Sequence, residues 1–419
     1  MSVPAAAPAP GWVTSRTGLR LTPEQPQIAL ALRRNPKRAH LLVSAVLAKH
    51  LPVPASVPLG AAAALAGLVR DALHGAPATV IGFAETATAL GHGVARVAGP
   101  DGGCLPYVHT TRRPVPPELS VLAFDEEHSH AVEQLLAVLD DGLLADPEHV
   151  LVLVDDELST GQTSVNAIRV LQQRWPRQRY LLASLLDVRS PAQQAANLAD
   201  VAALGATVGA VSLATGAVLL PADLMASAAA LIAERDHCPV EVQTVEPGVP
   251  ITQWELGLTA PLTGAHGWTA ADEVALEAAV TALAAALEVT GSVLVLGDEE
   301  FMYAGQRLAL ALGPLTHTSS TTRSPALVVD APGYPLRTAL TFAATDDPDR
   351  VAYAYNVAAS RAADRGPAPG FDHLVLLLDR EPPAHTRELL FTQLAGAATV
   401  GVTVVVVVPA ATLTVRRTG

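Results

Sequence analysis

An apolar run followed by two acids and a hydroxyl-rich loop constrains the fold of this chain more than any other feature. Residues 150–154 read Val-Leu-Val-Leu-Val and predict a strand covered on both faces, as in the centre of a parallel sheet. Asp155 and Asp156 follow directly. The next positions hold hydroxyls around one glycine: Ser159, Thr160, Gly161 and Thr163. Because residues 164–174 then show helical spacing of apolar side chains, we expect a strand–loop–helix unit.

A unit of this kind can bind a phosphorylated sugar. The loop and the start of the helix present free backbone N–H groups and a positive dipole end where a phosphate can bind. The two carboxylates just before the loop suit vicinal sugar hydroxyls and a divalent cation. The alternative is a loop whose Asp and Thr only cap a helix. Capping accounts for one of these residues but not for the ordered set.

The composition argues against several classes of function. The formal net charge of −13 argues against a nucleic-acid surface, which would need clustered Lys and Arg. The two cysteines have no metal-ligand spacing and indicate a reducing setting. The N-terminus lacks the basic start and apolar core of a signal peptide, and the apolar segments are too short or too interrupted to span a bilayer. We therefore expect a cytoplasmic protein that binds neither membranes nor nucleic acids.

Strand and helix patterns alternate along the first half of the chain. They predict helices at 59–74 and 130–144, strands at 79–83 and 180–186, and a largely polar, mobile loop at 107–127. Alternation of this kind predicts a doubly wound α/β sheet that binds ligands at the carboxyl ends of its strands.

A second α/β pattern follows a stretch rich in Pro, Thr and Gly. It predicts a helix at 270–287 and strands at 292–296, 326–329, 374–378 and 402–408. The chain is therefore expected to divide into a flexible arm at 1–25, a first α/β domain at 26–240, a connection at 241–264 and a second α/β domain at 265–419.

The segment from Asp155 to Thr163 resembles the motif that binds phosphoribosyl pyrophosphate (PRPP) in type I phosphoribosyltransferases. The resemblance implies that family's parallel sheet in the first domain. It also implies that the loop hydroxyls and N–H groups cradle the 5′-phosphate, while the two acids bind the ribose hydroxyls directly or through Mg²⁺.

The turn after the first predicted strand of the sheet matches the family's pyrophosphate loop in position. Its residues are Glu85, Thr86, Ala87 and Thr88. Glu85 departs from the small or basic residue that is more usual there, which leaves its role open. The alternative is an ordinary strand–helix turn.

The family also has a mobile hood that folds over PRPP, and the polar stretch at 107–127 matches it in position. Arg112 or Arg113, near its start, would pair with the diphosphate. Glu126, His128 and His130 close the stretch, and we expect them to act in acid–base chemistry or substrate contact. The alternatives are metal ligation, for which no further ligand is evident nearby, and two solvated histidines.

Three residues are candidates for recognising the acceptor: Asp187, Arg189 and Lys49. Asp187 and Arg189 follow the next strand, where an acceptor would lie in this family. Lys49 belongs either to a lid over the acceptor or to ordinary packing.

A combination of short motifs is similar to the phosphoribosyltransferase encoded in bacterial tellurium-resistance and stress gene clusters. The motifs include Asn35-Pro36-Lys37-Arg38, Lys49-His50, Thr111-Arg112-Arg113, Glu126-Glu127-His128-Ser129-His130-Ala131 and Thr322-Arg323-Ser324-Pro325. That family carries a C-terminal domain, TRSP, named for the last motif. The candidate residues in this domain are Glu299, Glu300, Thr322, Arg323 and Ser324. They are interpreted as an anion site and active-site acids, or alternatively as helix caps and solvated acids.

Two functions compete at this point. The first is an Mg²⁺-dependent phosphoribosyltransferase that joins a base-like acceptor to ribose 5-phosphate from PRPP, or runs the reverse reaction on a nucleoside 5′-monophosphate, in a stress-linked pathway for nucleoside-like products. The second is a non-catalytic module that senses PRPP or a nucleotide. The acid pair and the charged hood favour catalysis. A scaffold role with partners from the same gene cluster, and a homodimer, stay open.

Overall fold

The computed structural model describes residues 11–35, 37–125, 133–237, 240, 242, 244–245, 248–360 and 370–419. Within these residues the helices are α1 (Trp12–Thr17), α2 (Ser56–Leu73), α3 (Thr88–Val97), α4 (Gly142–Ala145), α5 (Gln162–Arg174), α6 (Pro191–Ala203), α7 (Leu224–Asp236), α8 (Ala270–Ala286), α9 (Met302–Leu312) and α10 (Ala384–Ala397). The strands are β1 (Arg20–Thr22), β2 (Ile28–Leu32), β3 (His40–Ser44), β4 (Val53–Pro54), β5 (Ala78–Gly82), β6 (Tyr107–His109), β7 (Ser120–Asp125), β8 (Glu133–Val138), β9 (Val150–Leu158), β10 (Arg179–Asp187), β11 (Thr207–Thr215), β12 (Ala217–Leu219), β13 (Ile251–Leu258), β14 (Val293–Gly297), β15 (His317–Ser320), β16 (Ala339–Ala343), β17 (Val351–Tyr355), β18 (Phe371–Leu378), β19 (Ala398–Pro409) and β20 (Thr414–Arg417).

The first sheet has five parallel strands in the order β11-β10-β9-β5-β6. Its central strand, β9, is covered on both faces, since Val152 packs into one core cluster and Leu151 and Leu153 into another. In the register with β10, Asp155 lies opposite Ser184. The acids therefore lie at the carboxyl end of the sheet, and the predicted parallel sheet is confirmed.

Helix α2 packs against this sheet. By length and composition alone it is apolar enough to cross a membrane, and it is the one helix of the described part of the chain of which this holds. Its residues Leu65, Ala66 and Val69 are buried in the same core cluster as Val152. The core helix of a soluble protein passes the same test, so α2 is weak grounds for a membrane.

The second sheet has seven strands in the order β20-β13-β19-β18-β14-β15-β4. The five inner strands are parallel, whereas β20 and β4 run antiparallel at the two edges. The second α/β region predicted from the sequence is thus confirmed. Edge strand β4 comes from the first half of the chain, and its Val53 pairs with Thr318 of β15 in the second half. Strand β13 lies inside the predicted connection 241–264, because it finds a parallel partner along its whole length in β19.

Two predictions about the stretch between β6 and β9 are wrong. The mobile loop expected at 107–127 contains β6 and β7, and the helix expected at 130–144 is replaced by β8 and the short α4. Strands β7 and β8 pair antiparallel, and Phe124 and Leu136 pack into the core cluster beneath them. Cross-strand pairing and burial therefore override the helical spacing of apolar residues.

Two further predictions need correction. The arm expected at 1–25 lies outside the described residues up to residue 10, but from residue 11 it contains α1 and β1, and Trp12 packs edge-on against Tyr334 with ring centroids 5.0 Å apart. Residues 326–329, expected as a strand, make only an isolated bridge at Ala326. The run is apolar because it is buried in a core cluster, although it has no strand to pair with along its length.

Candidate active site

A cavity of about 450 Å³ lies where the first sheet ends at its acids. Both halves of the chain line it. The first half contributes Arg33, Arg38, Leu41, Leu42, Ser44, Leu47, Lys49, His50, Phe83, Ala84, Glu85, Thr86, Arg112, Gln134, residues 155–161, Thr163 and Ser164. The second half contributes Thr322, Arg323, Ser324, Pro325, Arg350, Val351 and Tyr353.

The loop between β9 and α5 forms one wall of this cavity. Gly161 precedes α5 with φ +78°, in the left-handed region that favours glycine. A Cβ atom on Gly161 would lie 2.0 Å from Asn197 Oδ1 and 3.0 Å from Arg189 Cδ. The loop is therefore packed closely from behind, and its hydroxyls and the start of α5 face the cavity, which is a geometry suited to an anion.

Two carboxylates from β9 lie beside the loop. Asp155 Oδ1 accepts a hydrogen bond of 2.9 Å from the backbone N–H of Asp156. Burial, and after it the charge of Glu157, raises the pKa of Asp156 to about 6. Glu157 itself pairs with Arg38, with Nη2 2.7 Å from Oε1. Negative charge is thus concentrated at the cavity wall, where a cation would relieve it.

Asp155 and Asp156 have oxygen atoms that could bind Mg²⁺. Among the described residues there is no group of three or more His, Cys, Asp or Glu side chains that could hold a metal ion. Asp155 and Asp156 nevertheless offer hard oxygen atoms in a cavity, and Mg²⁺ usually keeps several waters and takes further ligands from substrate phosphates. The acid pair therefore fits Mg²⁺ bound together with a phosphorylated ligand.

The turn after β5 also lines the cavity, beside the carboxyl end of the neighbouring strand β9, and carries a buried carboxylate. The Ala84–Glu85 peptide is cis. Glu85 forms an ion pair with Lys49, whose side chain is 2% exposed, and Glu85 Oε2 accepts from Arg323 Nε at 2.9 Å. Burial alone would raise the pKa of Glu85, but the charges of Lys49 and Arg323 hold it well below its usual range. Glu85 is therefore ionised and held by two cations.

The loop that follows β15 brings the second half of the chain to the same place. Arg323 Nη2 donates to Glu299 Oε2 at 2.8 Å, and Arg350 Nη1 donates to Glu299 Oε1 at 2.6 Å. Burial, and next the charge of Glu85, raises the pKa of Glu299. One buried carboxylate thus holds two arginines at the edge of the cavity.

The start of the predicted hood is fixed against the second half as well. Arg113 is buried, with Nη2 3.0 Å from Asp298 Oδ2 and Nη1 2.5 Å from Asp379 Oδ2. The carboxylate of Glu300 accepts from the backbone N–H of Arg112 at 2.8 Å. Burial works against the charge of Arg113, but the acids around it raise its pKa well above the usual range. Arg113 therefore connects the two halves.

Comparison with known families identifies both halves. Residues 27–217 match the model of a phosphoribosyl transferase, and residues 262–394 match the TRSP domain that lies C-terminal to it. The chain therefore carries a phosphoribosyl transferase domain followed by a TRSP domain. The TRSP domain therefore contributes Arg323 and Arg350 to a cavity built on the phosphoribosyltransferase domain. A comparison with curated proteins gave no match.

Solved phosphoribosyltransferases are similar to part of this chain at low sequence identity. An adenine phosphoribosyltransferase from Rhodothermus marinus is 16% identical, covering 45% of this chain and 94% of its own, with a TM-score of 0.31. One from Trypanosoma brucei, in complex with AMP, pyrophosphate and ribose-5-phosphate, is 12% identical, covering 45% and 76%, with a TM-score of 0.33. A hypoxanthine phosphoribosyltransferase from Staphylococcus aureus is 13% identical, covering 40% and 79%, with a TM-score of 0.23. Likenesses of this size say nothing about the substrate of this phosphoribosyltransferase.

Most residues that the sequence singled out meet at the cavity of this phosphoribosyltransferase. They are Asp155, Asp156, Ser159, Thr160, Gly161, Thr163, Glu85, Thr86, Lys49, Arg112, Thr322, Arg323 and Ser324. Glu299 and Glu300 lie just behind this set and bind Arg323 and Arg112, respectively.

Other candidates lie elsewhere. Asp187 and Arg189 do not line the cavity; they pair with each other, with Arg189 Nη2 2.7 Å from Asp187 Oδ2, and support the Gly161 loop from behind. Ala87 and Thr88 are buried behind the turn that carries Glu85, and Arg113 is buried among the acids of the TRSP domain. Glu126, His128 and His130 lie outside the described residues.

The cavity also contains residues that the sequence did not single out for this role. They are Arg33, Arg38, Glu157, Arg350 and Tyr353, while His50 lines the cavity beside Lys49, with which the sequence grouped it as a possible lid. Burial, followed by the charge of Lys49, lowers the pKa of His50 to about 3, so this ring is neutral. Glu157 could have been found because it directly follows the acid pair, and Arg38 because it belongs to the Asn35–Arg38 motif. No sequence pattern pointed to Arg350 or Tyr353.

Proposed function

We propose that this protein transfers a 5-phosphoribosyl group from PRPP to a base-like acceptor, with Mg²⁺, or runs the reverse reaction on a nucleoside 5′-monophosphate. One observation carries the proposal. The acid pair and hydroxyl loop after β9 share a single cavity with the turn after β5 that corresponds to the family's pyrophosphate loop. A phosphorylated sugar with a diphosphate leaving group needs both sides of such a cavity.

Each part of PRPP has a partner in this proposal. The 5′-phosphate binds to the hydroxyls and N–H groups of the loop at the start of α5: Ser159, Thr160, Gly161 and Thr163. The ribose hydroxyls bind to Asp155 and Asp156, and Mg²⁺, when bound, offsets the charge of the diphosphate there. The diphosphate then extends towards Glu85. This orientation is supported by the lining of the cavity, which includes both the loop after β9 and the turn after β5.

The reaction exchanges one bond to the ribose for another. The bond between C1 and the diphosphate oxygen breaks, a bond from C1 to the acceptor nitrogen forms, pyrophosphate leaves, and the acceptor gives up a proton. The chain must hold the two reactants in line and exclude water. The β2–β3 hairpin and the loop after β15 line the cavity, which suits them to exclude water once PRPP is bound. Proton transfer is assigned to Glu126, His128 and His130, which follow β7.

The lining of the cavity also includes apolar and planar side chains. Leu41 and Leu42 of β3, Val351 and Tyr353 of β17, and Pro325 line it. Apolar and aromatic surfaces of this kind suit a flat heterocycle, which supports a base-like acceptor. Lys49 is engaged with Glu85 in this structure, so it is not assigned a polar contact with the acceptor.

A non-catalytic role in sensing PRPP or a nucleotide is the second candidate. Glu85 favours it, since a carboxylate beside the leaving group opposes the negative charge that builds up on the departing pyrophosphate, and so slows the chemical step more than it weakens PRPP binding. Such a module would bind PRPP but release no pyrophosphate with any acceptor.

One experiment separates the two functions. The full chain is incubated with Mg²⁺ and PRPP against a panel of purine, pyrimidine and other heterocyclic bases, and pyrophosphate release is measured. We expect release with at least one base and none from the Asp155→Asn/Asp156→Asn variant. PRPP binding without release across the panel would favour the sensor, whereas absence of PRPP binding would contradict both functions.

The setting of this activity is part of the proposal. The resemblance to enzymes of tellurium-resistance and stress gene clusters supports a stress-linked pathway for nucleoside-like products in the cytoplasm, with partners from the same cluster and a homodimer as its assembly. Loss of the gene should then sensitise cells to tellurite, and Asp155→Asn/Asp156→Asn should fail to restore growth. Restoration by this variant would contradict a catalytic role in that response.

A further inference from the structure

The turn after β5 has the wrong charge for a diphosphate. Residues 83–88 contain one carboxylate, Glu85, and no Lys or Arg. A diphosphate placed beside this turn needs cations, because phosphate oxygens are bound in proteins chiefly by Arg, Lys, N–H groups and metal ions. The cations must therefore come from outside the turn.

Two cations are already gathered there. Lys49 forms an ion pair with Glu85, and Arg323 Nε lies 2.9 Å from Glu85 Oε2. The side chains of Lys49, Glu85 and Arg323 are 2%, 4% and 14% exposed. The trio carries one net positive charge in a water-poor place, where charge interactions are strong.

The Arg323 guanidinium is fixed in position by the TRSP domain. Its Nη2 donates to Glu299 Oε2 at 2.8 Å, and Arg350 pairs with the other oxygen of the same carboxylate. Nη1 of Arg323 donates to no residue that the structure describes, while the side chain lines the cavity. Arg323 is thus rigid, charged and left with a donor for a further ligand.

We propose that Arg323 of the TRSP domain, with Lys49, binds the diphosphate of PRPP and the pyrophosphate it releases. This inference rests on the proposed function and names the role of the second domain in it. Glu85 positions the two cations, and the planar guanidinium suits two phosphate oxygens. The active site is therefore shared between two domains of one chain.

The test compares three ligands on the full chain with Mg²⁺: pyrophosphate, PRPP and ribose 5-phosphate, each titrated by calorimetry. In Arg323→Gln we expect affinity for pyrophosphate and for PRPP to fall at least tenfold, while affinity for ribose 5-phosphate stays within about twofold of that of the original protein. Arg323→Lys keeps the positive charge but loses the planar, bidentate guanidinium, so its affinities for pyrophosphate and PRPP should fall by an intermediate amount. Arg337→Gln removes an arginine that pairs with Asp330 of the TRSP domain outside the cavity, and it should change none of the three affinities.

Each other outcome has a defined meaning. Unchanged pyrophosphate affinity in Arg323→Gln overturns the inference, and so does an equal loss for all three ligands, which would reflect a distorted cavity. If the original protein binds ribose 5-phosphate but not pyrophosphate, the inference fails while the phosphate loop stands. If it binds neither ribose 5-phosphate nor PRPP, the proposed function itself fails.

Discussion

Arg323 Nε lies 2.9 Å from Glu85 Oε2, although 238 residues separate the two in the chain. The contact joins the motif that names the TRSP domain to the turn after β5 of the phosphoribosyltransferase domain, the proposed pyrophosphate loop. Lys49 completes the arrangement from the opposite side of the carboxylate. A buried carboxylate such as Glu85 stabilises the folded protein only while Lys49 and Arg323 balance its charge. Variants of these three residues therefore have measurable effects on the free energy of unfolding.

Replacing Lys49 by Met should destabilise the protein. Breaking a buried ion pair leaves an uncompensated charge, which costs about 3 kcal/mol or more of the free energy of unfolding. Glu85→Gln combined with Lys49→Met should recover part of the loss, because no carboxylate is then left with a missing partner. Denaturant titration of the single and double variants measures both effects. Additive losses would show that Lys49 and Glu85 do not interact.

Replacing Gly161 by Ala should weaken binding of PRPP. The new Cβ would meet Asn197 Oδ1 at 2.0 Å, so the loop must shift away from Asn197 and Arg189. Gly205 is a matched control, with φ +79° and nothing within 4 Å of the added Cβ. Both variants should lose about 1 kcal/mol of stability from left-handed strain. Only Gly161→Ala should lower PRPP affinity, by at least tenfold in calorimetry; equal affinities in the two variants would contradict this role of the loop.

Removing the charges of Asp155 and Asp156 should weaken PRPP binding while keeping the shape of the site. In the double Asn variant we expect affinity for PRPP with Mg²⁺ to fall more than about tenfold, roughly 1.4 kcal/mol or more. Asp200→Asn on the exposed face of α6 is the control and should bind normally. Calorimetry with and without Mg²⁺ checks the result. A double variant that binds as tightly as the original protein would refute the assignment of the acids.

Binding of PRPP should weaken as the pH falls through about 6. The pKa of Asp156 is raised to about 6, chiefly by burial, so this carboxylate is charged above that pH and neutral below it. A neutral acid is a poor partner for Mg²⁺. PRPP affinity is measured between pH 5 and pH 8 in the original protein and in Asp156→Asn. The part of the pH dependence that belongs to Asp156 should be absent in the variant, and identical profiles would assign the dependence to PRPP itself.

The sequence predicted the strand–loop–helix unit from β9 to α5, which lines the cavity, because that unit is local in the chain. Strand, acids, loop and helix follow each other between residues 150 and 174, so order and spacing specify the geometry. The pairing of Glu85 with Arg323 depends on how two domains dock, which no local pattern encodes. Glu85 departs from the residue that is usual at its position in the family, and its charge is matched by Lys49 and Arg323, which lie far from it in the chain.

The errors in the fold have the same origin. Residues 133–138 carry apolar side chains at spacings that suit a helix or a strand, and pairing with β7 decides between them. Residues 326–329 are apolar because they fill a core cluster, and burial alone does not supply a ladder partner. Burial of Arg113 between Asp298 and Asp379 likewise depends on contacts between the two halves.

Strand β4 is donated by the first half of the chain to the edge of the second sheet, where Val53 pairs with Thr318. If the gene were divided between the two family regions, the fragment that contains the TRSP domain would therefore lack the edge strand β4 of its own sheet. The same division would strip Arg113 of its acids and Glu85 of Arg323. The two regions should consequently be inherited, expressed and lost as one unit. Two halves encoded separately should restore function only if they associate so that β4 pairs with β15.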